Sequence, residues 1–356
     1  MICGIPSAAN ALITSLLRKS LIPYNSNAAM NRAKEVRMET MIENLKWKPM
    51  WVSHLGCIKG CLDYLGMEVS DAWLYGATGH AFIINMHDIV CPSGPTAWNT
   101  EMISKLARNI GYQTDGVFAL KIHDDFADKQ KQAWEHIRKS IDNGLPCYGW
   151  ELEVPEYYVI YGYDDKGYYF SGAKCDSGKG PKPWQEVGDT QIGCLEMYSV
   201  SQVDPTDDVK VTKDAFRYVL EHSKSPEKWI FPKYKAGLAG FDSWIAALET
   251  NRADGFGMAY NAEVWSECRR LAVQFLREAK TRLDDKLSDL FDEATDHYGV
   301  VWENLKKVTE LFPFFHMKAE HINDETRCAP ALEYLKEARK AEELGLKSLE
   351  KISGQL

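Results

Sequence analysis

The chain has 356 residues, 45% apolar, 26% charged and 12% aromatic, proportions that exclude a disordered or low-complexity scaffold. Its 51 acidic side chains outnumber 42 basic ones, for a net charge of -9. Nucleic acid and anionic membrane both need a basic face, so neither is an expected partner.

The first 45 residues read as a helical extension, broken at Pro23-Tyr24-Asn25-Ser26-Asn27. Its apolar run Ala11–Leu17 is too short to span a bilayer and has no basic segment before it. No signal peptide is therefore expected. The nine cysteines are an odd number, spread along the chain without a C-x2-C pair, which points to a reducing compartment. The expected location is the cytoplasm.

From residue 46 to 204 the texture changes to Gly, Pro, aromatic and β-branched residues. Helices are expected at 57–66, 100–110 and 128–143. Strands are expected at Ala81–Asn85 and Tyr157–Tyr163, the second joined through Asp164-Asp165-Lys166-Gly167 to Tyr168-Tyr169-Phe170 as a hairpin. Helices beside a mostly antiparallel sheet define an α+β domain. After Asp204-Pro205 the pattern is helical to the end. Apolar stripes at 3- and 4-residue steps run Leu238 to Leu248, Val264 to Ala279 and Leu287 to Val308. The expected organisation is an α+β domain over 46–204 and an all-α domain over 205–356.

Three stretches could carry chemistry. In His54-Leu55-Gly56-Cys57-Ile58-Lys59-Gly60-Cys61, Cys57 follows a glycine at an expected helix start, where unpaired N–H groups favour a nucleophilic thiolate. The plainer reading is a buried helix cysteine, and Cys61 fits that reading better. Spacing also offers His54, Cys57 and Cys61 as zinc ligands, but Gly56 argues against helix at His54, so neither metal nor other cofactor is expected. In Tyr75-Gly76-Ala77-Thr78-Gly79-His80-Ala81-Phe82, a Gly-shaped turn aims one imidazole, a candidate general base or a half-buried strand histidine. In Pro155-Glu156-Tyr157-Tyr158, Glu156 is an acid at the mouth of an otherwise apolar strand. Trp98, Trp150, Tyr157 and Tyr158 are the candidate aromatic lining of a pocket.

Taken in order, the helix cysteine, the Gly-rich turn before Ala81-Phe82, Gly144-Leu145-Pro146 and the Gly162-Tyr163-Asp164 hairpin resemble the N-terminal domain of the butirosin biosynthesis protein H-like family. That domain is similar to papain-like and C39-like cysteine peptidases, and the resemblance covers residues 47–203. Gly237–Ile245 and Arg269–Leu276 look like the family's C-terminal region. The resemblance implies a papain-like fold and acyl transfer or amide or thioester hydrolysis through a Cys57 acyl-enzyme in a biosynthetic role. It implies a small-molecule or peptide substrate and an acyl carrier protein as partner. Where C39-like relatives open a strand with the catalytic histidine, this chain has Glu156. Either His80 supplies the imidazole, with Glu156 as its partner, or the pocket binds a small molecule or peptide without catalysing.

Overall fold

The computed structural model describes residues 39–356, so nearly all of the expected N-terminal extension lies outside the described residues. Thr40–Met41 form a short strand, β1. Two helices follow, α1 (Ser53–Tyr64) and α2 (Asp71–Ala77), then β2 (Asn85–His87), α3 (Glu101–Ile110), β3 (Tyr112–Leu120) and α4 (Phe126–Asp142). Strands β4 (Cys147–Trp150), β5 (Tyr157–Tyr163), β6 (Gly167–Gly172), β7 (Lys179–Pro183) and β8 (Cys194–Gln202) complete the sheet. The rest is α5 (Asp208–Lys224), β9 (Tyr234–Ala236), α6 (Gly237–Glu249), α7 (Gly255–Arg282), α8 (Ser288–Leu311) and α9 (Glu325–Gln355).

The protein is α+β, with a mostly antiparallel sheet in the order β3-β8-β4-β5-β6-β7 and β1 added on β5. Strand β5 is aromatic and β-branched on both faces and is almost wholly buried, as suits the middle of a sheet. Its hairpin to β6 turns where Asp164 accepts hydrogen bonds from the N–H groups of Lys166 and Gly167 at 2.8 and 3.1 Å. In β4 and β5, Tyr148 and Trp150 lie opposite Val159 and Tyr157 and share one face. Helix α1 covers that face, for Tyr148 and Tyr157 both meet His54. Helix α4 covers the other, where His136 reaches Ser199 and Trp134 packs on Tyr163 and Tyr168.

The segment after residue 205 is helical, except that β9 pairs with β2 in a two-stranded ladder. It is therefore not all-helical. The long stripes Val264–Ala279 and Leu287–Val308 are buried along their length, as 3.6-residue periodicity requires of a core-facing helix. One contiguous apolar core runs through the sheet half and the helical half. The expected strand at Ala81–Asn85 is instead a turn and irregular chain, with strand only from Asn85. The carbonyls of Ala81 and Ile83 find their donor in Arg269 of α7, whose Nη1 lies 2.9 Å from each. A guanidinium thus replaces a neighbouring strand. Arg269 is itself held by a bidentate pair with Glu342 of α9, at 2.8 and 2.7 Å, all fully buried.

Candidate functional site

Helix α1 starts at Ser53, four residues before Cys57, and includes His54. The glycine read as a helix start has a different cause. Residues 46–48 cross α1 closely, and a Cβ on Gly56 or Gly60 would collide with the carbonyl oxygens of Lys48 or Lys46. These glycines are packing positions inside the helix. Cys57 is therefore mid-helix and fully buried, and so is Cys61 one turn later, so Cys61 fits the reading of a buried helix cysteine no better than Cys57 does. Burial pushes the Cys57 thiol well above its ordinary range, and the nearby Glu156 and Cys175 push it further the same way. A thiol so placed is held in its protonated, poorly nucleophilic form.

His80 does not pair with Cys57. Its Nδ1 faces Cys268 Sγ at 3.7 Å, and its ring lies among Trp98, Trp265 and Tyr75 with centroids 5.6, 6.4 and 6.0 Å away. Because residues 78–84 form a turn pinned by Arg269 rather than a strand, the imidazole is directed toward α7. Burial holds His80 at about 4, and the charge of Arg269 also lowers it.

A different set of groups comes together at the first turn of α1. Ser53, His54, His80, Thr96, Trp98, Glu156, Tyr157 and Tyr260 are among the residues around a narrow cavity of about 20 Å³, room for about one water molecule. Cys57 is not in this lining. Ser53 Oγ donates a short hydrogen bond to Glu156 Oε2 and accepts one from Tyr157 N–H at 3.0 Å. Tyr260 OH donates to the other carboxylate oxygen at 2.8 Å. Glu156 as a whole residue is only half-buried, but its carboxyl end is enclosed by these partners. Burial raises its pKa, while the donated bonds from Ser53 and Tyr260 act against that rise. His54 stacks on Tyr157 with ring centres 4.1 Å apart, and its Nε2 lies 3.2 Å from Tyr148 OH. Burial takes His54 down to about 3, helped by His80.

Of the four aromatic residues expected to line a pocket, Trp98 and Tyr157 do so. Tyr158 does not, because neighbouring strand residues point to opposite faces. Its ring meets Phe170, and its OH bonds to Ala173 O at 3.3 Å. Trp150 sits edge-on behind Tyr157, 5.0 Å away. Glu156 lines the cavity but serves Ser53 and Tyr260 rather than His80. Sequence reasoning missed Ser53 and Tyr260, which lie 103 residues before and 104 residues after Glu156. Only the unexplained acid at the strand mouth signalled the place.

Over the mouth, Trp51 packs on Tyr260 and Phe314, with ring centres 6.2 and 5.0 Å apart. Phe315, 81% exposed, stands beside them on the short 3-10 turn Phe314–His316. Among the described residues, no group of three or more His, Cys, Asp or Glu side chains is arranged to hold a metal ion. No helix among them is long and apolar enough to cross a membrane. No family model matches this chain, and the search of curated proteins finds no match.

Proposed function

We propose that the chain binds a small molecule or the end of a peptide in the cavity at the first turn of α1, within a papain-like α+β arrangement of helix across sheet. The observation that carries this reading is the convergence of Ser53, Glu156 and Tyr260, from three separated segments, on one aromatic-walled cavity. Their polar groups supply orientation, and Trp51, Trp98 and Tyr157 supply apolar contact, the usual division of labour in a small-molecule site. The acyl chemistry implied by the resemblance has no support from Cys57, whose fully buried thiol does not border this cavity.

The test is tryptophan fluorescence during titration with small amides, esters and N-acetyl amino acids, because Trp51 and Trp98 both border the cavity. Binding is expected in the wild-type protein and should be lost in Thr96→Trp, which fills the space. Binding that survives the filled cavity would contradict the assignment.

A further inference from the structure

We infer that Ser53 is a nucleophile and Glu156 its base, so that the cavity cleaves or transfers an acyl group through a serine ester. This inference rests on the cavity being the ligand site, and adds a covalent step to it. Ser53 is the first residue of α1 and borders the cavity. Tyr157 N–H occupies one of its lone pairs at 3.0 Å, which directs the hydroxyl proton at Glu156 Oε2. Tyr260 fixes the second carboxylate oxygen, so the base cannot rotate away without breaking that bond. This is the nucleophile, base and orienting group that covalent catalysis requires, within hydrogen-bond reach of one another. A carboxyl raised by burial is a stronger base than an ordinary carboxylate. The N–H groups of the first turn have no acceptor within the helix, and the segment entering it is already engaged, Trp51 N–H donating to Glu267 Oε2 at 2.8 Å.

The step balances within these groups. Ser53 Oγ forms a bond to the acyl carbon of an ester, thioester or amide while its proton passes to Glu156. As the bond to the leaving group breaks, Glu156 returns that proton to the departing alcohol, thiol or amine. Water or an acceptor amine then attacks the serine ester, gives its proton to Glu156, and Ser53 Oγ takes a proton back as it leaves. The cavity admits a water-sized group, so the substrate class is one that presents a slim acyl end, with its remainder lying along Trp51, Phe314 and Phe315.

The experiment is acid-quenched mass spectrometry of the full chain mixed with p-nitrophenyl acetate, with nitrophenolate release followed in parallel. We expect an acetyl group on the peptide containing Ser53, turnover abolished in Ser53→Ala, and acetylation about 100-fold slower in Glu156→Gln. Cys57→Ala should turn over as the wild type does. The rate should rise with pH as Glu156 ionises. Absence of both acetyl-Ser53 and Ser53-dependent turnover in the wild-type protein overturns the inference, whether or not Ser53→Ala folds. Ligand binding without acetylation would sink the covalent step alone; loss of binding in the fluorescence titration would sink the site itself.

Discussion

The two halves of α1 differ in what surrounds them, although they share one helix. The first turn, Ser53 and His54, opens on a cavity shared with β5 and α7, and its polar groups have partners from across the molecule. The next turns, Leu55 to Leu62, carry Cys57 and Cys61 into the apolar core, where burial suppresses ionisation. One residue type with attractive chemistry therefore sits where it has no chemistry to do. A plain serine four residues earlier sits among a carboxylate, a phenol and the N–H of Tyr157. Position along the helix, more than side-chain identity, decides which group can react.

The contrast can be broken first on the core side. Ile58 is fully buried beside Cys57, so Ile58→Ala should lower unfolding free energy by about 2–5 kcal/mol in urea titrations. A cost under about 1 kcal/mol would mean that this face of α1 is not packed as described. The next largest effect is expected where residues 46–48 cross α1. Gly56→Ala places a methyl against the Lys48 carbonyl and should destabilise by about 1–3 kcal/mol, even though alanine is the better helix former. If Gly56→Ala proves stabilising, the close crossing by residues 46–48 does not exist.

Acid probes the cavity side. His54 and His222 are held near 3 and His80 near 4, all by burial. A histidine in the unfolded chain takes its proton near 6.5, so below that pH the unfolded chain binds more protons than the folded one. Stability is therefore complete above about pH 6.5 and falls as the pH drops toward 4, with every tenfold difference in proton affinity worth about 1.4 kcal/mol per site. Glu156 has the opposite sign, as do the buried carboxyls of Glu196, Glu267 and Glu342: raised by burial, they favour the folded state in acid and offset part of the loss. Thermal midpoints measured from pH 7 to 4 should fall throughout, and His80→Gln should flatten the curve. An unchanged midpoint would show that the imidazoles are open to water. The smallest expected effect is Cys57→Ala, costing about 1 kcal/mol for a modest loss of core volume and leaving ligand binding intact.

Much of the helical half was readable in the sequence, because a 3.6-residue stripe encodes burial locally. The residues from Val264 to Ala279 and from Leu287 to Val308 needed no partner to be recognised, and the β5–β6 hairpin announced itself through Asp164 and Gly167. The site was less readable for a physical reason. Ser53, Glu156 and Tyr260 meet only because helix, sheet and α7 fold together, and no spacing rule links positions more than 100 residues apart. Gly56 misled because a glycine imposed by a crossing chain looks the same in sequence as a glycine at a helix end. The strand expected at Ala81 failed likewise: its carbonyls are satisfied by Arg269, 188 and 186 residues away, rather than by a neighbouring strand.

Two thiols, one at each end of this contrast, can be compared within a single protein. In the variant Ser53→Cys, iodoacetamide is applied to the folded protein at neutral pH, and the time course is read by peptide mapping for position 53 and for Cys57. The account predicts that the introduced thiol is alkylated early, while Cys57 stays unmodified until the protein unfolds. Alkylation of Cys57 ahead of position 53 in the folded protein would contradict it.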